Sequence, residues 1–367
     1  MADNYEFYGL KASSQEVAYF VKHILESNQD FENTGQKKTP VCIWGRHGIG
    51  KTELVKQISD ELGYKWAYIA PAQFEEMGDL LGMPKINDNV TSFIPPNWVP
   101  TEEGPGILLI DDVNRADDRI LRGIMQLLQN FELVSWSLPP KWQIVLTANP
   151  DGGDYSVTTM DDAMLTRMMH ITMQFDIKAW ASWAEKNKVD PRGINFVLTY
   201  PEMVKGVMTT PRSLVQFFNS IRSINLLSEN LSLVQTLAAS CLDEETVTAF
   251  ITFVNQNLSA LIEPEKILVA KDFKNDVREP IEQMVKKDIL RVDILATLCT
   301  RVTNYLIINK IKPDKQGVEN IQSFIKMDFL PNDLRLSLLQ DLTSAPGDRL
   351  QSILEDPEVS MILLENL

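Results

Sequence analysis

The chain has 367 residues, of which 44% are hydrophobic and 23% are charged, as in ordinary globular proteins. Since domains run at roughly 100–200 residues, this length predicts two or three packed units. No stretch approaches the roughly 20 consecutive apolar residues of a membrane span, so we expect a soluble protein without membrane insertion. The net charge of −15 repels polyphosphate at long range, which makes nucleic acid an unlikely ligand and favours protein partners.

The first residues and the cysteines give no sign of export. The first residues mix acidic and polar types, where a secretory signal would show a basic start and an apolar block. Cys42, Cys241 and Cys299 lie far apart, without the count of a disulfide framework or the spacing of a zinc site. We therefore expect buried thiols in a reducing compartment, and a cytoplasmic location.

The segment from Gly45 to Thr52, GRHGIGKT, fits the phosphate-loop pattern G-x-x-x-x-G-K-T. Its glycines allow successive backbone N–H groups and the following helix N-terminus to point at phosphate oxygens. Lys51 can reach the outer phosphates, and Thr52 can hold magnesium. The alternative is a plain glycine-rich turn between a strand and a helix.

The context of this loop favours the nucleotide interpretation. The β-prone run PVCIW precedes it, and KTELVKQISDEL follows it with Leu54, Val55, Ile58 and Leu62 on one helical face. A strand before the loop and a helix after it are what the motif requires.

A short helix is predicted next, in QFEEMGDLLGMPKI. The spacing of Phe74, Met77, Leu80 and Leu81 suits one helical face, and a glycine and a proline end the pattern.

Two further apolar runs predict buried parallel strands that end in polar residues. Ile107 to Ile110 is followed by Asp111 and Asp112, and Asp111 stands where a carboxylate would bind magnesium through water. The run Trp142 to Pro150 ends at Asn149, whose amide could orient an attacking water. An asparagine before proline is also a common turn former.

The segments around the second of these strands have their own patterns. NFELVSWSLPPKW predicts a hairpin before Trp142, a tryptophan that we expect in the core, whereas Trp98 and Trp136 suit either the core or a substrate contact. The segment from Asp151 to Met168 is loop-like at its start and helical from about Met160, which places Arg167 at a helix end.

From about Asp176 the pattern becomes all-helical. Prolines interrupt it repeatedly after about Val234. The basic run Asn309 to Lys315 is either a solvated loop or a weak nucleic-acid candidate. The three histidines share no spacing typical of a metal site or a catalytic triad; they are His23, His47 and His170.

At these motifs the chain resembles the AAA+ ATPases, and within them the MoxR branch of the clade with an insert in its second helix. The similarity runs from about Glu16 to Ile224. Its most specific pieces are AQFEEMGDLLGMP, DDVNRA, DDAMLTRM and TTPRSL. The resemblance implies an α/β P-loop NTPase (AAA+) core with a parallel sheet over residues 1–175, an all-helical lid over 176–233 and a further C-terminal helical domain over 234–367.

The resemblance also implies roles for individual residues. The ATP-binding set is Gly45, His47, Gly48, Ile49, Gly50, Lys51 and Thr52. Asp111 is similar to the magnesium-side acid, which would act with Thr52, and Asn149 to the first sensor. Arg167 is similar to the arginine finger that reaches a neighbouring subunit's site, and Arg212 to the second sensor, although each also fits an ordinary surface arginine. In the family the region after the phosphate-loop helix carries a helical insert and leads to loops over a central pore.

One residue departs from the family pattern. Asp112 stands where most AAA+ proteins place the glutamate that positions the attacking water. Aspartate is shorter by one carbon, so its oxygens fall back by about 1.5 Å unless the backbone compensates. An error near 1 Å can cost on the order of a hundredfold in rate, so we expect slow hydrolysis.

The resemblance implies a magnesium-dependent ATPase that forms a homo-oligomeric, hexameric ring and remodels or activates a protein client, with a von Willebrand A domain protein as partner. Two alternatives stay open: a nucleotide-gated assembly scaffold with little turnover, and a nucleic-acid-associated AAA+ subunit.

Overall fold

The computed structural model describes residues 8–87, 90–150, 157–205, 207–256, 261–286 and 290–364. The chain forms two compact units, Met1–Asp176 and Ile177–Leu367. The division of the second unit into a lid and a further domain stays a prediction. Among the described residues, no helix combines the length and the apolar composition needed to cross a membrane.

The N-terminal unit alternates strands and helices. Its strands are β1 Leu10–Ala12, β2 Val41–Trp44, β3 Lys65–Ile69, β4 Met83–Asn87, β5 Val90–Ile94, β6 Gly106–Ile110, β7 Glu132–Leu133, β8 Trp136–Ser137, β9 Trp142–Ala148 and β10 Met169–Met173. Its helices are α1 Ser14–Asn33, α2 Lys51–Leu62, α3 Met77–Leu81, α4 Asp118–Asn130 and α5 Asp162–Leu165.

Six strands form one parallel sheet in the order β1-β10-β2-β9-β6-β3. The three strands predicted around the motifs, β2, β9 and β6, are therefore neighbours. Trp44 pairs with Ala148 and Ile110 with Leu146, so these strands end near the same edge. The predicted α/β P-loop core with a parallel sheet is confirmed.

Alternate strand residues fill two cores, one on each face of the sheet. Ile43, Ile107 and Val145 pack with α1 and α2 on one face. Leu108 and Leu146 pack with α4 on the other. On α2, the predicted apolar face is the one that meets the first core.

The short helix predicted in this region is confirmed as α3, which has five residues and ends at Gly82. The antiparallel hairpin β4-β5 that follows it was not predicted. Gly82 ends α3 with φ 96°, and a Cβ there would lie 2.0 Å from the Ile94 carbonyl oxygen. The hairpin thus folds back so closely that only glycine fits at this position.

The predicted hairpin before β9 is confirmed as β7-β8. Trp142 is buried, as predicted. The other two tryptophans make core contacts as well: Trp136 is buried and donates from its indole to the Leu80 carbonyl at 3.1 Å, and Trp98 packs edge-on against it. Residues 151–156, where the loop before α5 was predicted, lie outside the described residues.

The C-terminal unit is helical, as predicted. Its helices are α6 Ile177–Lys186, α7 Pro191–Thr199, α8 Pro211–Ile221, α9 Leu231–Ala239, α10 Glu244–Asn255, α11 Pro264–Val269, α12 Glu279–Val285, α13 Val292–Ile308, α14 Lys315–Ile325, α15 Asn332–Thr343, α16 Gln351–Leu354 and α17 Pro357–Leu364. The basic run Asn309 to Lys315 forms the exposed connection between α13 and α14.

A buried charged cluster lies inside this unit. Arg301 of α13 is 5% exposed and donates to Glu185 at 3.0 Å, to Glu263 at 2.8 Å and to the side-chain oxygen of Asn195 at 2.7 Å. Burial raises the pKa of Glu185 to about 7, although Arg301 lowers it. These groups join α6, α7 and α13 through one guanidinium.

The cysteines are free thiols. Cys42 and Cys299 are buried, as expected, and burial raises the pKa of both, to about 12 for Cys299. Cys241 is half-buried instead, in the turn after α9. No group of acidic, histidine or cysteine side chains suited to a metal ion occurs within the described residues.

Candidate nucleotide-binding site

The loop from Gly45 to Lys51 connects β2 to α2. Gly45 has φ 155°, and a Cβ on it would lie 2.8 Å from the Met173 carbonyl oxygen and 2.7 Å from Cδ1 of Ile49. Gly50 has φ 93° and precedes the first residue of α2. The loop therefore depends on glycine both for its close approach to β10 and for its entry into the helix.

The remaining residues predicted to bind nucleotide lie in the same turn. His47, Gly48 and Ile49 are half-buried there. The structure places all seven predicted binding residues in one continuous segment between β2 and the first turn of α2.

Lys51 is a buried cation at the start of α2. It is 6% exposed, and its Nζ donates to the carbonyl oxygens of Gly45 at 2.8 Å and Arg46 at 3.1 Å. It also donates to Oδ1 of Asn149 at 3.2 Å, which links the loop to the end of β9. These three acceptors are neutral oxygens, and they orient the ammonium group.

Asn149 is fully buried and held at its backbone. Its N–H donates to Oδ1 of Asn114 at 3.1 Å, and Nδ2 of Asn114 donates to its carbonyl at 2.8 Å. Its own Nδ2 is buried and has no hydrogen-bond partner among the described residues. A buried donor without an acceptor is costly, so its position beside Lys51 indicates a place for an acceptor from a ligand.

Three hydroxyl groups hold the carboxylate of Asp111, directly after β6. Thr52 donates to Oδ1 at 2.8 Å and Thr147 to the same oxygen at 2.6 Å, while Tyr68 donates to Oδ2 at 3.1 Å. Burial, with Asp111 next, raises the pKa of Tyr68 to about 12, so this phenol stays a neutral donor at neutral pH. The carboxylate has a fixed direction next to the phosphate loop.

Asp112 adopts a left-handed backbone conformation, with φ 47° and ψ 47°. Its N–H donates to Oγ1 of Thr147 at 2.8 Å. Its carboxylate lies 3.3 Å from Nε of Arg115, with both side chains partly exposed. The residue predicted to position water thus carries an ion pair.

Of the two predicted arginines, Arg167 lies in the same unit as this cluster but makes its own contacts, and Arg212 belongs to the other unit. Arg167 follows α5 by two residues and is half-buried; its guanidinium donates to Oε1 of Gln129 at 3.2 and 3.3 Å and to the Ala163 carbonyl. Arg212 belongs to the C-terminal unit, where it is exposed in the first turn of α8. Their roles as finger and second sensor stay predictions.

Three residues of the site were missed in the sequence. Tyr68 and Thr147 hold the acids, and Asn114 pins the backbone of Asn149. Thr147 had a readable signal, because its hydroxyl follows the apolar run Ile144 to Leu146 within β9. Tyr68 had none, since the half-exposed strand β3 lacks the continuous apolar run of its neighbours.

The residues present fit ATP with magnesium. A buried ammonium and an unpaired amide donor lie together, as a terminal phosphate requires. A hydroxyl and a carboxylate, Thr52 and Asp111, form the oxygen pair that magnesium prefers. A Cβ on Gly50 would meet no atom within 4 Å, so open space lies beside the start of α2.

Comparison with known proteins agrees with this geometry. Residues 40–168 match the family model of the AAA domain, and the N-terminal unit that contains them has the AAA+ P-loop NTPase fold. The model is that of the dynein-related subfamily. The match begins one residue before β2 and ends just after Arg167, so it covers the site but not the C-terminal unit.

Individual relatives are distant. Midasin of Giardia intestinalis is 22% identical over 139 residues, which make up 36% of this chain and 3% of midasin. This chain therefore corresponds to a small part of that relative's length.

Solved structures of RuvB from Thermotoga maritima, a Holliday junction branch migration motor, are also similar. One of them is 15% identical, with a TM-score of 0.36, over 77% of this chain and 86% of that chain. A point mutant of the same protein is 15% identical, with a TM-score of 0.40, over 77% and 86%. TM-scores this low give no further support for a family or a function.

Proposed function

We propose that this chain is a magnesium-dependent ATPase that assembles into a ring and uses ATP binding and hydrolysis to remodel partner proteins. The observation that carries the proposal is the pairing of Lys51 with Asn149, whose Nδ2 is buried and lacks a partner among the described residues. Both groups are donors, both are fixed by buried contacts, and both suit the terminal phosphate of ATP.

The roles of the side chains follow from the reaction. Hydrolysis forms a bond from a water oxygen to the γ-phosphorus and breaks the bond from that phosphorus to the β–γ bridging oxygen, whose electron pair leaves with ADP. The water's protons pass to inorganic phosphate and solvent. Lys51 and Asn149 stabilise charge on the γ-phosphate oxygens, and Asp112 accepts a hydrogen bond from the water and so orients it.

Thr52 and Asp111 are the residues that would hold magnesium. Magnesium would supply neutralisation of charge on the β- and γ-phosphates. The hydroxyls of Thr147 and Tyr68 keep the Asp111 carboxylate in one orientation for that purpose.

The proposal includes assembly. Arg167 follows a helix of only four residues and is held by neutral acceptors, so its charge can act on an anion across a subunit boundary. Arg212, exposed on α8, would serve as second sensor from a lid over residues 176–233. We propose a hexameric ring, in which each site is completed by a neighbour.

We propose that the client is a protein. Similarity to MoxR proteins suggests a chaperone-like activity in the cytoplasm, acting with a von Willebrand A domain protein. The net charge of −15 supports protein clients over nucleic acid.

Steady-state ATP hydrolysis across a range of protein concentrations, with sizing in the presence and absence of ATP, tests the proposal. Turnover per subunit should rise with assembly. Arg167→Ala should abolish the rise while leaving ATP binding intact, and Arg119→Ala, at an exposed arginine on α4, is the matched control. A rate per subunit that stays constant on dilution contradicts the role of Arg167.

A second candidate is a nucleotide-gated scaffold in which turnover is incidental. The ion pair between Asp112 and Arg115 favours it, since a carboxylate engaged by a guanidinium is a weaker acceptor for water. ATP-driven assembly with negligible hydrolysis at every concentration would support this candidate.

A further inference from the structure

The side chain of Thr147 bonds to both acidic residues after β6. It lies in β9, two residues before Asn149, and is fully buried. Its hydroxyl donates to Oδ1 of Asp111 at 2.6 Å and accepts the backbone N–H of Asp112 at 2.8 Å. The Thr147 hydroxyl thus donates to Asp111 and accepts from Asp112 at the same time.

The backbone at Asp112 is unusual for a residue with a side chain. Its left-handed conformation ends the alternation of β6, and the next residues enter a short 3₁₀ turn in which the Arg115 N–H donates to the Asp112 carbonyl at 2.9 Å. The N–H and the carbonyl of Asp112 are therefore both held. Aspartate tolerates this conformation better than most residues do, and the two backbone hydrogen bonds fix it here.

This conformation bears on the short side chain. An aspartate reaches less far than a glutamate and has only two side-chain torsions, so the position of its carboxylate depends closely on the backbone that carries it. The hydrogen bond from Asp112 to Thr147 is the contact from the neighbouring strand that holds this backbone.

We infer that Thr147 is a positioning residue: its hydroxyl holds the left-handed backbone of Asp112, and thereby directs a carboxylate one carbon shorter than glutamate towards the attacking water. The inference rests on the proposed ATPase function. The rate of ATP hydrolysis would then depend on the hydrogen bond between Thr147 of β9 and the turn after β6.

Thr147→Val tests the inference in the full-length chain, since valine keeps the branched shape and removes the hydroxyl. The kcat at saturating ATP and magnesium should fall about 10- to 100-fold, with the KM for ATP changed less than about threefold. Thr147→Ser, which keeps the hydroxyl, should recover most of the loss. Thr172→Val is the matched control, because Thr172 is a buried threonine of β10 whose hydroxyl donates to the Tyr8 carbonyl at 2.9 Å.

Two further measurements separate positioning from other effects. In an Asp112→Asn background the valine substitution should have no additional effect on kcat, since the carboxylate is already lost. The magnesium concentration for half-maximal binding of a fluorescent ATP analogue reports on Asp111, and it should change much less than kcat, because Thr52 and Tyr68 still donate to the Asp111 carboxylate. A loss of kcat that added magnesium restores would show action through Asp111 and overturn the inference.

The remaining outcomes are also decisive. A folded Thr147→Val protein with the wild-type kcat overturns the positioning role and leaves the ATPase proposal standing. Absence of wild-type turnover at every concentration overturns the ATPase proposal and the role of Asp112 together. If the valine variant melts well below the Thr172→Val control, the serine variant decides, and an inactive but stable Thr147→Ser protein contradicts the inference.

Discussion

Replacing Glu185 by glutamine should change how the stability of the C-terminal unit depends on pH. Glu185 lies on α6 with its side chain 11% exposed, and Nε of Arg301 donates to it at 3.0 Å. Burial dominates over this ion pair and raises the pKa of Glu185 from 4.5 to about 7. The folded state therefore holds this proton more tightly than the unfolded chain does.

The sign and size of the effect follow from linkage. Because the pKa is higher in the folded state, the stabilisation is fully present below about pH 4.5 and is lost as the pH rises through about 7. Each tenfold difference in proton affinity is worth about 1.4 kcal/mol, which gives a loss of roughly 2–3 kcal/mol between pH 5 and pH 8. Glutamine cannot ionise. Between pH 5 and pH 8 the free energy of unfolding of Glu185→Gln should therefore fall by roughly 2–3 kcal/mol less than that of the wild type.

Urea denaturation at pH 5, 6, 7 and 8, followed by circular dichroism, measures the difference between the two proteins. Glu265→Gln, at an exposed glutamate on α11, controls for the loss of one negative charge. The other titrating groups are common to both proteins and cancel in the comparison. Parallel curves for wild type and Glu185→Gln would refute the conclusion that burial outweighs Arg301 at this carboxyl group.

Three further substitutions test other contacts. Asn149→Asp should lower ATP turnover by about 100-fold or more, because a carboxylate there pairs with Lys51 and repels the terminal phosphate; turnover within about threefold of wild type would count against the role of Asn149. Gly45→Ala should lower the melting temperature and the ATP affinity, since the new Cβ meets the Met173 carbonyl; Gly50→Ala strains only the backbone, at φ 93°, because its Cβ meets no atom within 4 Å, so its melting temperature should fall less than that of Gly45→Ala. Arg301→Met should destabilise the C-terminal unit by about 3–5 kcal/mol in urea denaturation at pH 8, because it leaves Glu185 buried without its cation; a loss under about 1 kcal/mol would argue against a buried charge.

The main elements of the site could be predicted because two sequence features coincide at each of them. A buried strand shows as an apolar run, and the functional residue shows as the polar position where that run stops. Asp111 and Asn149 follow β6 and β9 in this way, and the phosphate loop follows β2. Carboxyl ends of parallel strands meet at one edge of a sheet, so these residues were expected at the same edge.

The contacts among these residues could not be predicted in the same way. The order of the sheet places β9 between β2 and β6, although it is the last of the three in the chain. Only this order brings Thr147 against both acids and Asn149 against Lys51. Periodicity describes one element at a time, and it contains no information on which strands become neighbours.

The hairpin β4-β5 was missed for a different reason. The two β-prone runs MPKIN and VTSFI are separated by Asp88 and Asn89, both common turn residues, which is a readable hairpin signal. The resemblance to a family with a helical insert outweighed that local signal. Gly82 ends α3 with φ 96° and lies against the carbonyl of Ile94, so the chain turns back there.

The contacts of Asp112 bear on the choice between an ATPase and a scaffold. Its carboxylate contacts Arg115 through an ion pair whose side chains are 33% and 43% exposed, and such pairs are worth about 0–1 kcal/mol. Its backbone contacts Thr147 through a hydrogen bond to a fully buried hydroxyl, and leaving a buried group unpaired costs about 1–3 kcal/mol. The weak contact holds the carboxylate and the strong one holds the backbone, so a nucleotide and its water can displace Arg115 without disturbing the turn. This difference favours an ATPase that is ready to act over a scaffold locked against turnover.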